Sequence, residues 1–419
     1  MADVYQNALL TIAALSSPAS GHGIFPRSSP AAVAQVVAEI PLIAGEKRGV
    51  TARLHQPPAD DESLTSLDGE APLNKRAWCL QEAVLSRRIL YYGAAQIYFG
   101  CGDGLRAANE VPENIPSLPF IGSSPAALLD ILVEVDNLPL PLRGDDLQPV
   151  LRRYYDLVEV YSRRSLTFDK DRLPAISGLA KRLHGLIGGD YAAGVWTTDF
   201  RQGILWSPKD RGVARRSAYI APSWSWVSAG EGGVFVLEGP LHLALDGSDN
   251  LELLAHNVVL KDQLNQYGEI TSGQITVKGL TARLRRVHGV EFDVNGPGHV
   301  VNVWFDEPDG EGWFTDDRCY AVKQKGQSGD DDHVQFEARG HNPTTTKPGD
   351  PTIEKEYMVL LVIRGASRRY GSDKMEEESI ILEPVVGANV VYRRVGRMTT
   401  GLRDQAPSVT WTERTVTII

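Results

Sequence analysis

Cysteine is scarce in this chain, basic charge is outnumbered, and long apolar runs are missing. Each shortage excludes a class of protein. Three cysteines in 419 residues, Cys79, Cys101 and Cys319, are too few and too scattered for a disulfide framework. They also leave no CxxC pair to hold zinc. This usage reads as a reducing, cytoplasmic setting. Lys+Arg 43 against Asp+Glu 53 gives a net charge of −10, which argues against a basic nucleic-acid-binding surface. No run reaches the roughly 18 apolar residues of a membrane helix, so no membrane span is expected. The stretch Ala8–Leu15 resembles the apolar core of a secretory signal, but Asp3 precedes it and the first basic residue is Arg27. It therefore reads as an internal core element.

Familiar site signatures are missing as well. The nine histidines form no HxxxH or HExxH, and neither a G-x-S-x-G elbow nor a Walker GK[ST] occurs. The glycine-rich Gly100–Gly104 does not fit GxGxxG and reads as a strand-ending turn. Asp330-Asp331-Asp332-His333 lacks EF-hand spacing and reads as a solvated acidic loop. Neither a metal nor a cofactor is expected.

What is present suffices for a large core: 42% hydrophobic and 8% aromatic residues, in a length that suits two or three domains. The spacing predicts a helix over Lys75–Ser86, followed by two β-type runs, Ile89–Tyr92 and Gln96–Cys101, in a tight return. Residues 55–72 and 111–145 are rich in turn formers and prolines and read as loop. Asp145 and Asp146 can cap a helix whose apolar stripe runs through Leu147, Val150, Leu151, Tyr154, Val158 and Tyr161. A second helix is expected over Asp171–Ile187, closed by Gly188-Gly189. From about residue 218 strand-like runs alternate with Gly, Asp and Asn turns, an antiparallel β pattern. The expected class is α+β, with a helix-rich N-terminal part carrying short strands and a C-terminal antiparallel β sandwich or barrel. The expected divisions are 1–110, 111–217 and 218–419.

Three groups of residues are candidates for function. In Arg76-Ala77-Trp78-Cys79-Leu80-Gln81-Glu82, Trp78 and Glu82 lie four apart on one helix and share a face. An indole beside a carboxyl desolvates it, which suits an acid or base. A core tryptophan with Glu82 paired to Arg76 or Arg87 explains the same residues. Tyr161-Ser162-Arg163-Arg164, with Asp169, Asp171 and Arg172, is accounted for by helix-end electrostatics. Finally, four of the eight tryptophans, Trp196, Trp206, Trp224 and Trp226, fall within 31 residues at the composition boundary. In an extended Pro222-Ser223-Trp224-Ser225-Trp226, the two indoles project to one face. They could line a small-molecule pocket; packing of the junction between helical and β parts is the favoured account.

These residues, in this order, resemble the fungal heterokaryon-incompatibility (HET) domain family. Val4-Tyr5-Gln6-Asn7-Ala8 with Thr11-Ile12-Ala13-Ala14 is similar to the family's VYxNAxxTIAA stretch, and Gly23-Ile24-Phe25 with Arg27 to its GLFxxR. Pro72–Glu82 with Leu85-Ser86-Arg87-Arg88 resembles PLxxRAWxLQExxLSxR. Downstream, Asp171–Ala180, Tyr191–Trp196, Ala221–Trp226 and Tyr392–Gly396 resemble segments that often follow the domain. Segments similar to ALSYxWG and YxWIDxLCIxQ, which normally open the domain, are not found, so the resemblance implies a truncated domain. It further implies a role in self/non-self recognition and regulated cell death, through a protein partner or self-association. A distant relation of the family to TIR domains implies the alternative, NAD or nucleotide hydrolysis. An enzyme of fungal specialised metabolism on the same scaffold is the other form of that alternative. On these readings Glu82 is the catalytic candidate, and Arg76, Trp78, Gln81, Trp224 and Trp226 are the ligand-binding candidates.

Overall fold

In a computed structural model of the chain, the residues fall into two units, Met1–Asp136 and Asn137–Ile419. The structure describes residues 2–24, 36–41, 49–54, 71–94, 97–101, 104–107, 139–209, 218–236, 243–245, 251–287, 300–306, 319–322, 334–338, 353–367, 375–387, 390–401 and 411–419. Most of the loop expected over 55–72, most of that over 111–145, and Asp330–His333 lie outside the described residues.

The first unit opens with α1 (Ala2–Asn7) and β1 (Thr11–Ala13), followed by the hairpin β2 (Val36–Pro41) and β3 (Gly49–Leu54). Then come α2 (Ala77–Leu85), β4 (Ile89–Tyr92), β5 (Ile97–Cys101) and β6 (Gly104–Ala107). Four strands form one sheet in the order β1-β4-β5-β6. β4 and β5 pair antiparallel, as the two β-type runs predict, while β1 lies parallel to β4 in the register Thr11↔Ile89. Leu15, Ala71, Ile89, Tyr91 and Tyr98 form the core, with Ala13, Leu73 and Ala83 packed on it. The opening apolar run is thus built in at Leu15 and through β1, but Leu9, Leu10 and Ile12 remain exposed. Only part of the run is the core element expected from sequence.

The second unit begins with helices. α3 (Leu147–Ser162) follows a 3-10 turn, Gly144–Asp146, and Asp146 makes no side-chain cap bond. Its inner face is the predicted stripe, Val150, Leu151, Tyr154, Val158 and Tyr161, joined by Tyr155 and Leu157. α4 (Ser177–Ile187) starts later than Asp171 because Pro174–Ile176 forms a separate 3-10 turn, and Gly188 ends it with φ 69°. β7 (Tyr191–Ala192), β8 (Val195–Trp196), α5 (Phe200–Gly203) and β9 (Trp206–Pro208) follow.

β10 (Val234–Val236) pairs antiparallel with β9 on one edge. On the other edge, α3 offers side-chain acceptors in place of a strand. Val234 N–H donates to Ser162 Oγ (2.9 Å) and Val236 N–H to Glu159 Oε1 (3.2 Å). Three residues along a helix match two along a strand, so one helix face satisfies two orphan donors.

The remaining strands are β11 (Leu243–Leu245), β12 (Glu252–Leu260), β13 (Ile270–Val287), β14 (Val300–Phe305), β15 (Cys319–Val322), β16 (Val334–Ala338), β17 (Ile353–Ser367), β18 (Met375–Pro384), β19 (Val391–Gly401) and β20 (Thr412–Ile418). They make one ten-stranded sheet, antiparallel except for the β13–β16 and β19–β20 pairs. The 18-residue β13 pairs with β20 along Ile275–Thr281 and with β17 along Thr281–Val287. The pairings β13-β17-β18-β19-β20 therefore close on themselves, which is barrel connectivity. The chain is α+β, as its sequence predicts.

Candidate functional site

The helix that carries Trp78 and Glu82 is α2. Arg76 stands at its N-cap in extended conformation and is exposed. Cys79, Leu80, Gln81, Val84 and Leu85 face inward, while Trp78 and Glu82 are half-buried together on the outer flank. Ser86 closes the helix. Its hydroxyl donates to the Glu82 carbonyl (2.7 Å), so at 2.7 Å from Thr11 Oγ1 it accepts the Thr11 hydroxyl. This ties α2 to β1 through two short polar contacts.

The Glu82 side chain meets a group that sequence reasoning did not nominate: the Tyr5 hydroxyl of α1 donates to its carboxylate. Burial, then the Glu82 charge and that hydrogen bond, push the phenol up to about 12. The phenol therefore keeps its proton and shares it with the carboxylate as a hydrogen bond. The spacing VYxN…LQE carried the signal, since α1 and α2 both carry stretches that resemble the family's.

Trp224 and Trp226 belong to the second unit and are fully buried there, as are Trp196 and Trp206. The segment around them is not extended. Ser225 N–H bonds the Pro222 carbonyl to make a turn, and Ser225 then caps the 3-10 helix Trp226–Ser228. A serine immediately before a short helix takes the backbone donor two residues on in this way. The five residues of the segment tie four places in the fold together. Pro222 lies where a Cβ on Gly273 of β13 would sit, at 2.5 Å. Ser223 Oγ accepts the Arg394 N–H of β19 (2.8 Å) and donates to the Ile419 carbonyl. The Trp224 carbonyl accepts Trp206 Nε1–H (3.1 Å) from β9. Ser225 Oγ donates to the Ala193 carbonyl (2.5 Å), and Trp226 Nε1–H to Gly194 (2.8 Å), in the β7–β8 turn. Gly194 has φ +93°, and a Cβ there would come within 2.7 Å of that indole nitrogen. The tryptophans pack the junction of helices and sheet, and they present no face to solvent.

Beneath them runs a polar seam. Arg394 Nη1 pairs with Asp306 Oδ2 at 2.5 Å, its Nη2 donates to the Trp206 carbonyl, and its guanidinium lies 3.8 Å from the Trp206 ring centre. Arg397 Nε pairs with Glu378 Oε2 (3.1 Å) and its Nη1 donates to Ser207 Oγ (3.1 Å). Thr399 donates to the same Glu378 oxygen (2.8 Å). All four charged groups are buried. Residues 394 and 397 would face opposite ways in a regular strand. Here the register moves from Ile381↔Gly396 to Leu382↔Arg394, so Val395 is a bulge and both arginines face β9.

A second carboxyl stands apart. Asp199, half-buried before α5, accepts the Tyr155 hydroxyl (2.7 Å). Burial pushes its carboxyl up to about 7 against the opposing effect of that bond. Tyr155 packs edge-on against Tyr154, and Tyr154, Tyr191, Trp196, Tyr267 and His184 pack edge-to-face or tilted on one another; burial holds Tyr154 and Tyr191 protonated well above the phenol range. No group of three or more His, Cys, Asp or Glu residues that could hold a metal occurs among the described residues. No helix among them is long and apolar enough to cross a membrane.

An α+β architecture with barrel connectivity defines a structural class and leaves the chemistry open. The first 82 residues go further: they match the family model described as Heterokaryon incompatibility protein (HET), so the chain carries HET-domain sequence at its N-terminal end. Neither the curated proteins nor the solved structures provide a match to the chain.

Proposed function

We propose that this chain is a fungal cytoplasmic protein of self/non-self recognition and regulated cell death, acting by partner binding or assembly. The supporting observation is a set of exposed apolar side chains at the start of the HET-matching segment. Val4 is 69%, Leu9 81% and Ile12 58% exposed, beside a sheet whose other side is well packed. Apolar side chains grouped at a surface mark interaction sites. Inducible expression in a filamentous fungus tests the reading. Cells should die when the chain meets its incompatible partner background, and Ile12→Asp should spare them at unchanged protein level. Survival with the intact chain in every background tried would remove the reading.

The second reading is a nucleotide hydrolase on the same scaffold, and the Tyr5–Glu82 contact favours it. Purified protein incubated with NAD and related nucleotides decides between the two. Glycohydrolysis that disappears in Glu82→Gln moves the assignment to an enzyme, with Arg76, Trp78 and Gln81 as the neighbouring ligand candidates. Trp224 and Trp226, being fully buried, support this reading least.

A further inference from the structure

The outer edge of β1 is the feature of the first unit that its own sheet leaves unused. Thr11 N–H donates to the Arg88 carbonyl (2.9 Å), so the alternation of a strand turns the N–H and C=O of Ile12 away from β4. β1 ends the sheet order, and among the described residues no strand pairs with that edge. Natural edges are guarded by charge, proline or a bulge. The opposite edge strand, β6, carries the exposed Arg106. The run around β1 carries no charge of its own, since from Val4 to Pro26 the sequence contains no Asp, Glu, Lys or Arg; the exposed Arg87 and Arg88 stand only at the end of the strand where Thr11 begins. Leu9, Leu10 and Ile12 flank the edge in solvent.

We infer that β1 pairs antiparallel with β1 of a second copy, about a two-fold axis through Ile12, giving a continuous sheet β6-β5-β4-β1-β1-β4-β5-β6. This rests on the assembly reading above and names its partner. Two features select a second copy over an unrelated chain. The outward-turned N–H and C=O of Ile12, unpaired among the described residues, are their own complement under a two-fold rotation, the symmetry of an isologous dimer. The run Val4–Pro26 is also uncharged in a chain whose net charge is −10, so two copies of β1 pair without like charges of that run opposed. A strand of three residues makes a small interface, and the expected dissociation constant is on the order of 10–100 µM.

Analytical ultracentrifugation of the full chain, from about 5 to 500 µM, reads this directly. The expected result is a reversible monomer–dimer equilibrium. Ile12→Asp, which sets two carboxylates face to face, should weaken it at least tenfold. Leu9→Lys lies outside the strand and should weaken it without disturbing the fold. Across the axis the two Ile12 Cα atoms stand about 5.5 Å apart, within disulfide reach. Oxidised Ile12→Cys should therefore run as a covalent dimer where the wild-type chain does not. A chain that stays monomeric at the highest concentration, or a dimer untouched by both Ile12→Asp and Leu9→Lys, overturns the pairing. Either result leaves the cell-death assay to stand or fail on its own.

Discussion

The two units keep their polar groups in opposite ways. In the first, the residues most similar to a family lie near the surface: a phenol on a half-buried carboxylate, and a neutral edge strand with its backbone turned outward. In the second, two arginine–carboxylate pairs are buried along with four tryptophans, and the residues from Pro222 to Trp226 are fastened to β13, β19, β9 and the β7–β8 turn. Buried ion pairs of this kind add little net stability over apolar packing, but breaking one is expensive. The contrast is between polar groups left open near a surface and polar groups that hold layers in one register.

The largest expected effect lies in the sealed seam. Arg394→Met strands Asp306 without its partner and should cost about 3–5 kcal/mol in urea unfolding. Adding Asp306→Leu should return most of that loss; failure to do so would mean that the arginine matters chiefly through Trp206. Next, Gly194→Ala forces a Cβ against the Trp226 indole at a positive φ, and should cost about 2–3 kcal/mol.

The effect of Asp199 should be smaller and opposite in sign. Its folded-state pKa, about 7, stands above the ordinary 3.8. The folded chain therefore takes up a proton before the unfolded chain does, and stability rises as pH falls from about 7 towards 4. Above pH 7 the ionised carboxyl is a burden in the fold. Asp199→Asn should raise stability by about 1–2 kcal/mol at pH 8, discounted for partial solvent access, and should make no difference near pH 3.5. Thermal melts of both proteins across that range check the sign. The smallest effect belongs to the open unit. Tyr5→Phe should cost about 0.5–1 kcal/mol, because the carboxylate it leaves can turn to water. A loss as large as that of Arg394→Met would erase the distinction drawn between the units.

Much of the fold was legible where a pattern is local. The stripe of α3 from Val150 to Tyr161 follows helical spacing, and the β4–β5 return is written in two short β runs around Gly93. The antiparallel strands after 218 were visible as alternation, although β11, β15 and β16 are too short to stand out. The Trp224–Trp226 junction was expected, but its conformation was not. Alternation of Ser and Trp suggests an extended chain, whereas Ser225 uses its hydroxyl to cap a turn. The seam was illegible for a different reason. Asp306 and Arg394 are 88 residues apart, and a strand read at period two sends Arg394 and Arg397 to opposite faces. The Tyr5–Glu82 contact joins two similar motifs across 77 residues and needs the fold to bring them together.

The extra residue at Val395 carries a consequence of its own. Its carbonyl accepts the Asp306 N–H (2.8 Å), so the bulge also positions the partner of the arginine it redirects. β19 can therefore accept many changes of identity but not of length. A single-codon deletion at Val395 would rotate everything on one side of it by half a turn, and would do more harm than any one side-chain replacement in the strand.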